Sequence, residues 1–215
     1  MITNTTFSNN SHPWKYMQSD SGFFTDEVYE NLTNILYSDE IKDWPVFNDD
    51  GSDPAYPQGQ VVMIDEEARE SASGFLREFY DWLWTRELDE KIQEMTGTQL
   101  TRHTWMWHLD YPGFYQAWHN DMDSYPGVEV TTFQVYMAKN NDKAHSGAMV
   151  TNICPEDDMD IDVRNLSNPT MAQYQVPYKR NHAWSFTASP ETWHAVPTID
   201  FYRPSFMCRD FKIIT

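Results

Sequence analysis

The apolar positions of this chain keep two different periods, and the change falls close to residue 100. Val28, Leu32, Ile35 and Leu36 recur at helical spacing behind Thr25, whose hydroxyl suits an N-cap with Asp26 and Glu27 in the first turn. The longest helix is expected to start at Asp65, with Phe75, Leu76, Phe79, Tyr80, Leu83 and Trp84 along its apolar face. A further helical piece carrying Leu88, Ile92 and Met95 should stop at Gly97. From Leu100 the period becomes two: Trp105, Trp107 and Leu109 alternate with Met106 and His108, as in a strand. Val130–Ala138 is rich in β-branched and aromatic residues and reads as a strand, followed by strands in Gly147–Ile153, Ala183–Thr187, Trp193–Pro197 and Pro204–Ile214.

The intervening segments read differently. Met1–Gly22 is polar and predicts a loosely held arm. Trp44–Gln60 sets prolines and glycines among acidic residues and predicts an exposed loop, and the acidic stretch through Asp123 and Gly127 predicts another. Pro155–Pro177 reads as a long surface insertion. Helices followed by many short strands point to a mainly β fold with α additions, in which the helices buttress a sheet, rather than to an alternating α/β sheet. The aromatic stripe on those helices is expected to be core packing.

Length changes this picture little: 215 residues suit a single domain, with residues 1–99 as arm and helical support and residues 100–215 as the β core. Charge changes it more. Thirty-three acidic residues against 15 basic ones give a formal charge of −18, which repels phosphate backbones and anionic lipid heads. A nucleic-acid or membrane partner is therefore disfavoured. Only Cys154 and Cys208 are present, too few for a disulfide framework or a cysteine metal cluster. The first residues lack the basic start and apolar run of a signal peptide, and no apolar run reaches membrane-spanning length. The expectation is a reducing cytoplasm, native or that of an infected host.

Candidate chemistry centres on Tyr111–Asp121. A turn at Pro112-Gly113 feeds a strand ending in His119-Asn120-Asp121, where His119 and Asp121 share a face. An imidazole and a carboxylate presented together can hold adjacent positions on a divalent metal. A third ligand from a distant strand would complete the two-His-one-carboxylate triad of non-haem Fe(II) oxygenases. His194 is the candidate, and Arg203 follows it nine positions on, with Ser205 beyond. A buried guanidinium there would grip a carboxylate, such as that of 2-oxoglutarate. His108 and Asp110 form a competing His-x-Asp pair, but they precede the turn and are read as satisfied polar groups. His182 is a weaker distal ligand, since Glu191 stands where Arg203 should. His12, His103 and His145 are read as surface or loop histidines.

Taken together, Tyr111-Pro112-Gly113, His119-Asn120-Asp121, Ser146-Gly147-Ala148-Met149 and the run from His194 through Arg203 to Ser205 resemble the 2-oxoglutarate- and Fe(II)-dependent dioxygenases of the prolyl-hydroxylase-like group. Ser146-Gly147 stands where that group often has Gly-Gly. The resemblance covers roughly Thr101 to the C-terminus and implies a double-stranded β-helix (jelly-roll) core buttressed by the N-terminal helices. It implies Fe(II) held by the catalytic residues His119, Asp121 and His194, with 2-oxoglutarate and O2 as cosubstrates. Arg203 would fix the far carboxylate, with Ser205, Tyr136 and Tyr111 assisting. The implied reaction is C–H hydroxylation with release of succinate and CO2, on a peptidyl proline or a small molecule, with Trp107, Trp118 and Trp193 as aromatic walls. Met149 and Phe186 are expected to face inward as apolar walls. The competing expectation is a cupin-like jelly roll that binds or scaffolds without turnover, which would need neither the triad nor the arginine.

Overall fold

Alternation along residues 104–110 sorts their side chains cleanly between two surroundings, and the rest of the architecture follows from that division. The computed structural model describes residues 1–44, 58–97, 102–122, 128–152 and 172–213. Its strands are β1 (Phe7–Asn10), β2 (Tyr16–Ser19), β3 (Gly59–Met63), β4 (Arg102–Asp110), β5 (Gln116–His119), β6 (Val128–Met137), β7 (Met149–Thr151), β8 (Tyr174–Gln175), β9 (Arg180–Thr187), β10 (Trp193–Val196) and β11 (Arg203–Ile213). A seven-stranded sheet runs β1-β2-β9-β6-β11-β4-β3, and a four-stranded sheet runs β5-β10-β7-β8. All the strand pairs are antiparallel. The helices are α1 (Asp26–Leu36), α2 (Glu66–Ser71), α3 (Gly74–Leu83) and α4 (Glu87–Thr96).

One face of the large sheet is apolar. Trp107, Leu109, Phe133, Val135, Phe206 and Cys208 meet Leu32 and Leu36 of α1, Phe79 and Leu83 of α3, and Leu88 and Ile92 of α4. Burying these side chains is the main stabilising term, at about 2–3 kcal/mol for each large one. Trp107 Nε1 donates to the Tyr80 hydroxyl at 3.0 Å, which satisfies a polar atom that would otherwise be stranded in that layer. The opposite face carries Met106, His108 and Asp110 of β4, Thr132, Gln134 and Tyr136 of β6, and Arg203, Ser205 and Met207 of β11. This face looks toward the small sheet, where Tyr136, Trp184 and Phe186 pack against Ala148, Val150 and Val176. Gly147, just before β7, lies tight against the chain just past β8, because a Cβ there would overlap the Val176 carbonyl oxygen.

Thr25 caps α1 by accepting from Val28 N, and Gly97 ends α4, both as the spacing predicts. Three expectations need correction. The segment before Gly22 is no loose arm: β1 and β2 extend the large sheet beyond β9, and Trp14, Tyr16 and Met17 are buried. Just past it, Asn181 clasps the chain by accepting from Phe24 N and donating to Phe24 O. The helix expected from Asp65 is two helices. Asp65 caps only α2, then Ala72 and Ser73 turn extended and Gly74 takes φ +56° before α3 begins. The bend lets Arg69 and Arg77 both reach Asp81. Finally, the loop expected through Gln60 gives way to edge strand β3, whose Val61 and Met63 pack on Met106 and Met207. Residues 45–57, the acidic segment around Asp123, and the part of the 155–177 insertion up to residue 171 lie outside the described residues. No described helix is long and apolar enough to cross a membrane.

Candidate metal centre

Strands β5 and β10 pair so that His119 and His194 stand directly opposite each other. Partners across a ladder share a face, which brings the two imidazole rings to 4.0 Å between centroids. Asp121 follows two residues past the end of β5. Its Oδ1 lies 3.7 Å from His119 Nε2 and 3.9 Å from His194 Nε2. The three ligand atoms fall within 4.8 Å of one another, and this is the one such cluster of metal-ligating side chains among the described residues. Asn120 points the other way and anchors the turn, donating to Ser189 O at 2.6 Å and accepting from Met122 N at 3.0 Å.

Neighbouring groups fix which atoms face the centre. His119 Nδ1 lies 2.9 Å from Ala117 O, and His194 Nδ1 lies 3.0 Å from Thr192 O. A carbonyl oxygen only accepts, so each Nδ1 carries the hydrogen and each Nε2 keeps its lone pair. Gln116 Nε2 accordingly donates to His119 Nε2 at 3.2 Å. Asp121 Oδ2 is occupied by the Thr132 hydroxyl at 2.8 Å, which leaves Oδ1 toward the imidazoles. Arg209 Nη2 stands 3.5 Å from that Oδ1, and Phe186 packs edge-on against His194 at 5.0 Å.

Burial, and then the neighbouring His194, push the His119 imidazole down to about 3. Burial likewise lowers His194. Burial opposes ionisation of Asp121, but His194, Arg209, His119 and the Thr132 bond outweigh it and hold the carboxyl at about 2. At neutral pH the cluster is therefore two neutral imidazoles and one carboxylate. That donor set fits a divalent first-row metal and leaves coordination positions open.

Farther along the same interior, Arg203 is only 3% exposed, buried as the spacing predicts. It is not a solitary cation. Its Nε donates to Asp110 Oδ2 at 2.9 Å, and its Nη2 lies 2.7 Å from the same oxygen in an ion pair. Phe114, Tyr136 and Tyr178 set their rings 5.8 to 5.9 Å from its guanidinium carbon. Gln134 Nε2 donates to Ser205 Oγ at 2.8 Å, and Trp184 Nε1 donates to Gln134 Oε1 at 2.9 Å. Ala148 N donates to the Tyr136 hydroxyl at 3.1 Å.

Tyr111 is not brought to the arginine: its hydroxyl donates to Gln60 Oε1 and its ring packs on Tyr202. Tyr178, not Tyr111, sets its ring against the guanidinium. Nor does Trp107 line the interior, since its odd-numbered place on β4 turns it into the helix-facing core. Trp118 and Met149 pack with Ala195 on the outer side of the small sheet, with Trp193 against them. The inward expectation for Met149 fails because Val150 is the residue opposite His194 in the β7–β10 ladder, so Met149 shares the other face with Ala195. Phe186 does face inward.

His182 is held by Gln18 and Ser19 and is no ligand. His12 and His145 are exposed, while the side chain of His103 lies outside the described residues. The reading of His108 and Asp110 as satisfied holds for Asp110 alone: His108 Nε2 is buried with no hydrogen-bond partner. Thr132, Gln134 and Arg209 were not singled out from sequence, and Asp110 was read only as a satisfied polar group beside His108, not as the partner of Arg203. The period-two pattern of β4 was the available signal for Asp110, because it places that residue on the His108 face.

No family model matches the sequence, and no curated protein does. Solved structures do match. A prolyl-4-hydroxylase from Pseudomonas putida aligns over 93% of both chains, with a TM-score of 0.63 and 12% identity. A prolyl hydroxylase from Trichoplax adhaerens, bound to a peptide from the oxygen degradation domain of hypoxia inducible factor, aligns over 91% of this chain and 83% of its own, with a TM-score of 0.58 and 13% identity. HygX from Streptomyces hygroscopicus, with nickel, 2-oxoglutarate and hygromycin B bound, aligns over 92% of this chain and 82% of its own, with a TM-score of 0.58 and 11% identity. At such identities the likeness is one of fold: the chain carries the double-stranded β-helix of the prolyl hydroxylases and of structural relatives solved with 2-oxoglutarate bound.

Proposed function

We propose that this protein is an Fe(II)- and 2-oxoglutarate-dependent dioxygenase that hydroxylates a C–H bond and releases succinate and CO2. The observation that carries the reading is the convergence of His119 Nε2, His194 Nε2 and Asp121 Oδ1 inside this fold. Bound iron with 2-oxoglutarate supplies the oxidising power: O2 is reduced as the 2-oxo acid loses CO2, and one oxygen atom ends as the substrate hydroxyl.

The chain's own residues hold and shield that chemistry. Ala117 O and Thr192 O lock the two imidazoles in the ligating tautomer, and Thr132 keeps Asp121 from turning away. Arg203 offers donors to the far carboxylate of 2-oxoglutarate, with Ser205 and Tyr136 on the same inner face. Tyr111, committed to Gln60, takes no part. Phe186 and the buried Val150 keep water from the face of the small sheet beside His194. The whole chain then acts as one catalytic unit of the cytoplasm, with the N-terminal strands and helices as its support. The substrate is a peptidyl proline or a small molecule, the two classes represented by the structural relatives.

The test is direct. Fe(II) and then 2-oxoglutarate are added to anaerobic apoprotein, the metal-to-ligand charge-transfer band is recorded, and O2 is admitted with succinate assayed. The dioxygenase gives both signals, and Asp121→Ala loses both. A jelly roll that only binds or scaffolds gives neither.

A further inference from the structure

The Arg203 side chain is already partnered, and the geometry of that pairing has a consequence for any acid that comes to it. A guanidinium has five N–H donors and can hold one carboxylate along its Nε–Nη2 side and a second at its Nη1–Nη2 edge. Asp110 takes the first position, with both contacts falling on its single oxygen Oδ2. Among the described residues, the remaining edge has only a long contact, Nη1 to Ser146 O at 3.5 Å. Asp110 is 1% exposed, so water does not screen it.

Among the described residues, the groups around Asp110 supply no second cation, and His108, two positions away on the same face of β4, is kept neutral by its burial. Arg203 faces it from β11 and Tyr136 from β6, while Tyr202 approaches from the segment before β11. Tyr178 stands on the guanidinium. Burial raises all three tyrosines, so they stay neutral. Across β3 the facing residue is Gly59, which has no side chain. A second carboxylate on Arg203 would leave one buried negative charge in excess.

Resting on the dioxygenase reading, we infer that Asp110 shares Arg203 with the far carboxylate of the 2-oxo acid and takes up a proton when that acid binds. Proton and ligand arrive together; nothing else is consumed. Asp110 is then a positioning residue that makes cosubstrate affinity rise as the pH falls. Burial already raises the Asp110 carboxyl against the opposing pull of Arg203, and a second carboxylate raises it further.

The experiment is calorimetric titration of 2-oxoglutarate into metal-loaded protein, with Mn(II) as the metal, between pH 6 and 8.5 in buffers of differing ionisation enthalpy. Metal loading beforehand keeps His119 and His194 neutral throughout. The expected result is uptake of up to one proton and a Kd that falls by up to about tenfold per pH unit of acidification. Pyruvate, which chelates without a far carboxylate, should bind with no such dependence. Asp110→Asn should bind 2-oxoglutarate at least as tightly as wild type at pH 8 and lose the proton uptake. Wild-type binding with no proton uptake and a flat pH profile overturns the inference and leaves the dioxygenase reading standing, whether or not the variant folds. Absence of any 2-oxoglutarate binding by metal-loaded wild type overturns both.

Discussion

Acid should destabilise the metal-free protein through His108, and the size of the effect can be worked from its surroundings. The imidazole is 8% exposed and its Nε2 has no hydrogen-bond partner. Burial, then Arg209 and Arg203, push it down to about 3, with Asp121 pulling weakly the other way. Its folded value lies below the unfolded value of about 6.5, so the unfolded chain takes the proton first as pH falls. Stability is therefore lost downward from about pH 6.5. Between pH 7 and pH 5 the unfolded imidazole goes from about one-quarter to almost fully protonated, while the folded one stays neutral. That difference costs about 2 kcal/mol, a large share of the 5–15 kcal/mol typical of a domain. Urea unfolding of chelator-treated wild type and His108→Gln across this range isolates the effect, because the other histidines titrate in both proteins. Wild type should lose about 2 kcal/mol more than the variant. Parallel curves would show that His108 accepts a proton inside the fold at an ordinary pH, and the reasoning from its burial would be refuted.

The metal site and the core give further expectations. Thr132→Val removes the donor on Asp121 Oδ2 and should weaken divalent-metal affinity about 10- to 100-fold by titration, with the circular dichroism spectrum unchanged. Arg203→Ala should weaken 2-oxoglutarate far more than iron; it also strands Asp110 and should cost about 3–5 kcal/mol of stability in chemical denaturation. Phe206→Ala opens a cavity among Phe79, Trp107 and Phe24, whose ring centroids lie 5.3 to 6.1 Å away, and should lower stability by about 3–5 kcal/mol.

What could be read in the chain was what local periodicity carries. Strand β4 was legible because Trp105, Trp107 and Leu109 alternate, and α4 because its apolar face ends at a glycine. Strands β1, β2 and β3 were not legible, because their burial comes from neighbours far along the chain. Tyr16 and Met17 become interior only once β2 lies beside β9, and the polar letters around them carry no trace of that pairing. The division of the Asp65 helix hid in Ser71-Ala72-Ser73-Gly74. The helical phase continues across that stretch, although the backbone breaks within it.

The site shows the same limit more sharply. The triad was legible because ligand chemistry needs particular residue types, and His119, Asp121 and His194 have them at spacings a sheet can bring together. The partnership of Arg203 was not legible, although both of its halves were in view. Asp110 belonged to a His-x-Asp pair set aside as polar filler, and only the β4–β11 register, which pairs Arg203 with Asp110 across the ladder, turns it into the arginine's counter-ion. Register is a tertiary fact: a one-residue slip would send Asp110 into the helix-facing core and leave the guanidinium unpaired. A buried aspartate facing apolar helices is costly, and so is a buried arginine without a partner, so these two residues help select the register that joins them. The charge pair that governs access to the arginine is thus also a determinant of the fold. For that reason Asp110→Asn, which keeps shape and hydrogen-bonding capacity, separates its two roles where Asp110→Ala would merge them.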